Sequence, residues 1–90
     1  MYKHKAYMTS RRYQILQLIA KGYNNKEIAK EMNLSLANTK LQKWRLYCYL
    51  GNVHCAIDAI VAAMQYKILS QDELSEEIKE KIKLIKNIGL

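Results

Sequence analysis

Apolar residues along this chain recur every three or four positions, the spacing that gathers them on one side of an α-helix. Strand-like alternation is scarce and proline is absent. Tyr13, Leu16, Ile19 and Ala20 mark the inner face of a first predicted helix, which Thr9 caps and Gly22 closes in a left-handed conformation. Asn24 opens a second helix, and Glu27 three residues on completes a capping-box pattern; Ile28, Ala29 and Met32 give its buried side. Asn33-Leu34 makes a tight corner, with Leu34 plugging the gap between helices. Ser35 caps a third helix that runs to about Leu50 and stops at Gly51. Its inner positions are Thr39, Gln42 or Lys43, Leu46, Tyr47 and Leu50.

A fourth helix is expected from about His54 to Lys67, with Ile57, Ile60, Val61, Met64 and Ile68 inward. Ser70 with Glu73 reads as another capping box, starting a fifth helix striped by Leu74, Ile78, Ile82, Ile85 and Ile88. Acidic Asp72, Glu73, Glu76 and Glu77 crowd its start and Lys79, Lys81, Lys83 and Lys86 its end, which suits the helix dipole and allows a Glu77–Lys81 pair. The fold class is therefore all-α. The second and third helices, crossing through a short turn, form a helix-turn-helix unit, whose second member can enter the major groove of DNA.

Charge sharpens this picture. Residues 1–50 carry ten Lys/Arg against Glu27 and Glu31, a balance of +8, whereas residues 51–90 carry five lysines against six carboxylates, a balance of −1. The excess falls on the half that holds the two-helix unit and favours a polyanionic partner there. Ninety residues, half of them apolar, suffice for one small core. No apolar run approaches the ~20 residues of a membrane-spanning helix and no signal-peptide core opens the chain, so the cytoplasm is the expected location. Cys48, Cys55, His4 and His54 lack metal-ligand spacing, and the two cysteines read as reduced thiols. Gly22, Gly51 and Gly89 stand too far apart for a phosphate-cradling loop. With no nucleophile–base signature either, the expectation is a non-enzyme without metal, cofactor or small-molecule ligand.

Beyond these patterns, the residues resemble the LuxR/GerE-type helix-turn-helix and are also similar to region 4 of bacterial sigma factors. Met8-Thr9-Ser10-Arg11 matches the opening LTPR of that family, Ile15 to Tyr23 its VLxLIAxGx segment, and Asn25-Lys26-Glu27-Ile28-Ala29 its NKEIA. Leu34-Ser35 with Thr39-Lys40 matches LSxxTVK if Asn38 takes the threonine position, and Leu50-Gly51 matches LG. The likeness spans about residues 8–69, leaving a basic arm (1–7) and a C-terminal amphipathic helix (70–90) outside it. It implies a four-helix domain with the third helix in the major groove and pairing through the fourth. Carried over by position, Lys40, Leu41 and Trp44 face base edges, with Asn38 beside Lys40 at the tip. Lys43 and Arg45 reach phosphates, and Thr9 and Lys26 are further phosphate contacts near helix starts.

Two departures stand out. Arg12 and Gln14 occupy positions that are acidic in the family, so a familiar intradomain charge pair is missing. The outward stripe of the third helix reads Ala37, Leu41, Trp44, Cys48, apolar where DNA readers normally offer Arg, Asn, Gln or Lys. Three functional expectations follow. In the first, the chain is a small stand-alone transcription regulator that binds double-stranded DNA as a homodimer. Ile57, Val61 and Met64, together with Leu74, Ile78, Ile82 and Ile85, then form the pairing surface, although the stripe of the fifth helix can instead fold back on the domain as a packing element; the arm with Lys3, His4 and Lys5 can track a minor groove. In the alternative, the scaffold is a phage-type modulator that binds another transcription regulator, such as a host repressor, through Ala37, Leu41, Trp44 and Cys48. A sigma-like subunit fragment is a third.

Overall fold

The structure is a computed structural model that describes residues 8–89, with side chains through Leu84. The arm of residues 1–7 and the side chains of Ile85 and Ile88 lie outside the described residues. Five α-helices follow one another: α1 (Ser10–Ala20), α2 (Asn25–Met32), α3 (Leu36–Tyr49), α4 (Ala56–Gln65) and α5 (Glu76–Gly89), with a 3₁₀ turn at Gln71–Glu73 before the last. No strand occurs among the described residues.

Local chemistry sets the first three helices. Thr9 Oγ1 accepts from the Arg12 amide at 3.1 Å and starts α1. Gly22, at φ +90°, ends it: the Gly22 amide donates to Ile19 O and the Tyr23 amide to Leu18 O, closing the last turn. The expected capping box opens α2, with Glu27 N–H on Asn24 Oδ1 (2.9 Å) and Asn24 N–H on Glu27 Oε1 (2.8 Å). Asn33 turns the corner in a left-handed conformation (φ +57°), and Ser35 Oγ caps α3 by accepting from the Asn38 amide at 3.0 Å. The two helices of the helix-turn-helix are thus fixed by bonds within a few residues of each junction.

Around this unit α1 is the hub, packed against α2, α3 and α4. Ile15, Leu16, Ile19, Ile28, Leu46, Leu50 and Ile60 are wholly buried where these helices meet. Thr39 is buried too, and its hydroxyl donates to Ser35 O at 2.9 Å, so no polar group is stranded there.

The C-terminal half corrects three expectations. First, α4 is shorter than His54–Lys67, and its fully inward positions are Ala59, Ile60, Ala62 and Ala63, while Ile57, Val61 and Met64 are only half-buried. The left-handed Lys67 (φ +63°) turns the chain, bringing the Ile68 amide onto Ala63 O. Second, Ser70 makes no side-chain cap, and Glu73 instead accepts a hydrogen bond from the Tyr13 hydroxyl at 2.9 Å. Ser75 starts α5: its Oγ accepts from the Ile78 amide, and its own amide donates to Ala20 O at the end of α1. Third, Leu74, Ile78 and Ile82, expected at a pairing surface, are 6%, 4% and 7% exposed within this single chain. The small side chains of α4 leave its core open until α5 folds against it, so the stripe is spent internally. On α5 an ion pair joins Lys79 to Glu76 at 3.3 Å.

Two outcomes follow for stability. Ile78→Ala lowers the unfolding free energy measured in urea by about 2–5 kcal/mol, as for a core truncation. The Tyr13 phenol is raised above its ordinary 10.0, chiefly by its hydrogen bond to Glu73, then by burial and the Glu73 charge. The stabilising bond is therefore complete below pH 10 and lost as pH rises through the raised value. Tyr13→Phe costs about 1–2 kcal/mol at neutral pH and flattens part of this alkaline loss; Tyr47, raised mainly by burial, acts in the same direction.

Candidate nucleic-acid interface

Only one edge of α3 is fully covered, at Thr39 and Leu46, with Leu50 just beyond its end. The opposite face is open. Trp44 is 63% and Leu41 44% exposed, and Ala37, Lys40, Arg45 and Cys48 are exposed as well. The sequence-derived stripe Ala37–Leu41–Trp44–Cys48 therefore runs along the outside of the domain, with Trp44 away from the core.

Two helix starts converge on this rod. The Arg12 guanidinium lies over the Tyr49 ring, 5.6 Å from its centroid, which sets the first turn of α1 beside the last turn of α3. Lys43 Nζ donates to Asn25 Oδ1 at 2.7 Å, which sets the first residue of α2 beside the middle of α3. Free amides and the positive end of the dipole make helix starts favourable places for phosphate. Thr9 and Arg11 are exposed at the first and Lys26 at the second. Neither α1 nor α3 contains a carboxylate, and Glu27 is occupied by the capping box.

Lys43, expected to reach phosphate, is half-buried, bonded to Asn25, and lies 5.8 Å from the centroid of the Tyr47 ring. Burial lowers its pKa below 10.5, so keeping it charged opposes folding at neutral pH, and that cost fades as pH rises through the lowered value. Its visible role is to brace α3 against α2. Asn38 is half-buried with its Oδ1 3.5 Å from Gln42 Nε2, so it is less available than Lys40.

Sequence reasoning gave no place at the site to Arg11, Asn25 or Tyr49. The Arg11-Arg12 pair in the first turn after the Thr9 cap was a usable signal; the Asn25–Lys43 bond spans 18 residues and left none. On another face, Ile57, Val61 and Met64 fall on one side of α4, and Val61, Met64, Gln65 and Ile82 line a shallow depression. Cys48 and Cys55 are free and exposed. Among the described residues no three His, Cys, Asp or Glu side chains gather as a metal site, and no helix is long and apolar enough to cross a membrane.

The family model for bacterial regulatory proteins of the luxR family matches residues 6–63. No curated protein and no solved structure gives a match.

The brace yields a direct check. In a double-mutant cycle of Lys43→Met and Asn25→Ala, urea unfolding gives a coupling of about 0.5–1.5 kcal/mol, and additive single effects contradict the bridge.

Proposed function

Because the chain belongs to the luxR family of bacterial regulatory proteins, a family of DNA-binding transcription regulators, we propose that it regulates transcription by setting α3 into the major groove of duplex DNA. The observation that carries this reading is the open face of α3, flanked by two cation-bearing helix starts. Lys40 and the exposed stripe meet base edges, while Arg11, Lys26 and Arg45 and the amides at the starts of α1 and α2 hold phosphates. Lys43 is left out of that set because its ammonium is already bonded.

The proposed regulator acts as a homodimer paired through Ile57, Val61 and Met64 of α4. These residues stay only half-buried after α5 has covered its share of the core, and burying them against a second copy removes apolar surface from water. Pairing doubles the number of phosphates a single chain can neutralise.

A second reading rests on Trp44, the most exposed large apolar residue on α3. Here α3 docks on a transcription-regulator protein instead of DNA, with Ala37, Leu41, Trp44 and Cys48 at the centre of contact. Trp44 fluorescence separates the two, because this second reading requires a blue shift with the protein partner and none with DNA.

Fluorescence anisotropy with labelled duplex DNA across a salt series tests the leading reading. Binding is expected at ~50 mM salt and weakens linearly in log–log form, with a slope near −0.9 per phosphate contacted. Lys40→Ala weakens binding to preferred sites by about 1–3 kcal/mol, whereas Val61→Asp gives a monomer in sedimentation and weaker binding. Absence of binding at ~50 mM salt rejects direct DNA recognition, and an unchanged sedimentation profile for Val61→Asp rejects pairing through α4.

A further inference from the structure

The centre of the outward face of α3 is apolar. Among the described residues the exposed large apolar side chains are Tyr23, Leu36, Leu41, Trp44 and Leu84, and two of them, Leu41 and Trp44, stand together on the outward face of α3. Such clustering marks a contact surface, since isolated exposed apolar residues are ordinary. Leu41 and Trp44, three residues apart, share one face with Ala37 and Cys48. Groups that read bases through paired hydrogen bonds are drawn away from this strip: Asn38 lies against Gln42, and Lys43 is held by Asn25. Lys40 and Arg45 are exposed and, by helical spacing, border the strip on opposite sides.

The charge around the strip selects its occupant. Arg11, Lys26, Lys40 and Arg45 are all exposed, with no carboxylate on α1 or α3, an arrangement complementary to a polyanion. In the major groove of such a polyanion, thymine offers an apolar group, its C5-methyl, where other bases offer donors and acceptors. We propose that Leu41 and Trp44 determine sequence specificity by enclosing thymine methyl groups, so that the chain selects sites with thymines beneath the centre of α3. This inference rests on the DNA-binding reading above.

Deoxyuridine provides the test, because it removes the methyl and keeps the base-pairing edge. Preferred duplexes are selected from a random-sequence pool made with thymine; each thymine of the selected site is then replaced singly by deoxyuridine and binding is remeasured. At one or more central positions the replacement weakens binding about 3- to 5-fold, the effect of one methyl withdrawn from apolar contact. Leu41→Ala and Trp44→Ala, both at exposed positions and verified as folded by circular dichroism, bind the selected duplex more weakly, remain measurable at ~50 mM salt through the phosphate contacts, and lose this thymine–uracil difference. Equal affinity for thymine and deoxyuridine at every position overturns the inference while leaving DNA binding intact. A thymine–uracil difference that persists in both variants overturns the assignment to Leu41 and Trp44. If no duplex is enriched from the pool, the inference and the DNA-binding reading fall together.

Discussion

The outward display of α3 depends on how narrowly that helix is anchored. Thr39 and Leu46, with Leu50 at its end, form a buried edge against the helices around them, and the Thr39 hydroxyl is satisfied by Ser35 O. A buried hydroxyl without a partner is costly, so this bond lets a polar residue serve as an anchor at the tight corner. Two outer braces supplement the edge: Arg12 over Tyr49 near the end of α3, and Lys43 bonded to Asn25 at its middle. Held in this way, the helix can leave Leu41, Trp44 and Lys40 exposed without losing its place.

Charge and shape converge at the same surface. The braces that fix α3 also bring the starts of α1 and α2 alongside it, so cations and amides flank an apolar strip. The division of labour between lysines follows from burial. Lys40 is exposed, whereas Lys43 is half-buried and committed to a neighbouring side chain. Within the core, α5 contributes Leu74, Ile78 and Ile82. The added helix thus supports the domain from within, while α4 keeps Ile57, Val61 and Met64 partly open.

What could be read from the sequence divides along physical lines. Thr9, Asn24 and Ser35 were legible as caps because each acts on an amide three residues away. Gly22 and Gly51, both at positive φ, were legible as stops for the same local reason. The exposed stripe of α3 was legible too, as its periodicity fixes which residues share a side. The stripe of α5 was harder, because periodicity says that an apolar face must be covered and does not say by what. Ser70 and Glu73 had cap spacing, yet Glu73 is taken by Tyr13, a contact across 60 residues that no local pattern encodes. The same holds for Lys43, whose chemistry on paper suits phosphate and whose surroundings commit it to Asn25.

In the proposed reading, α3 and the starts of α1 and α2 form one continuous surface for duplex DNA. Amide and indole NMR chemical-shift mapping during a duplex titration measures this most directly. Shifts are expected at the Trp44 indole, at Lys40 and Leu41, and at the first turns of α1 and α2, while Ile78 and Ile82 stay fixed. A DNA complex that forms with the Trp44 indole and the α3 amides unmoved contradicts this reading.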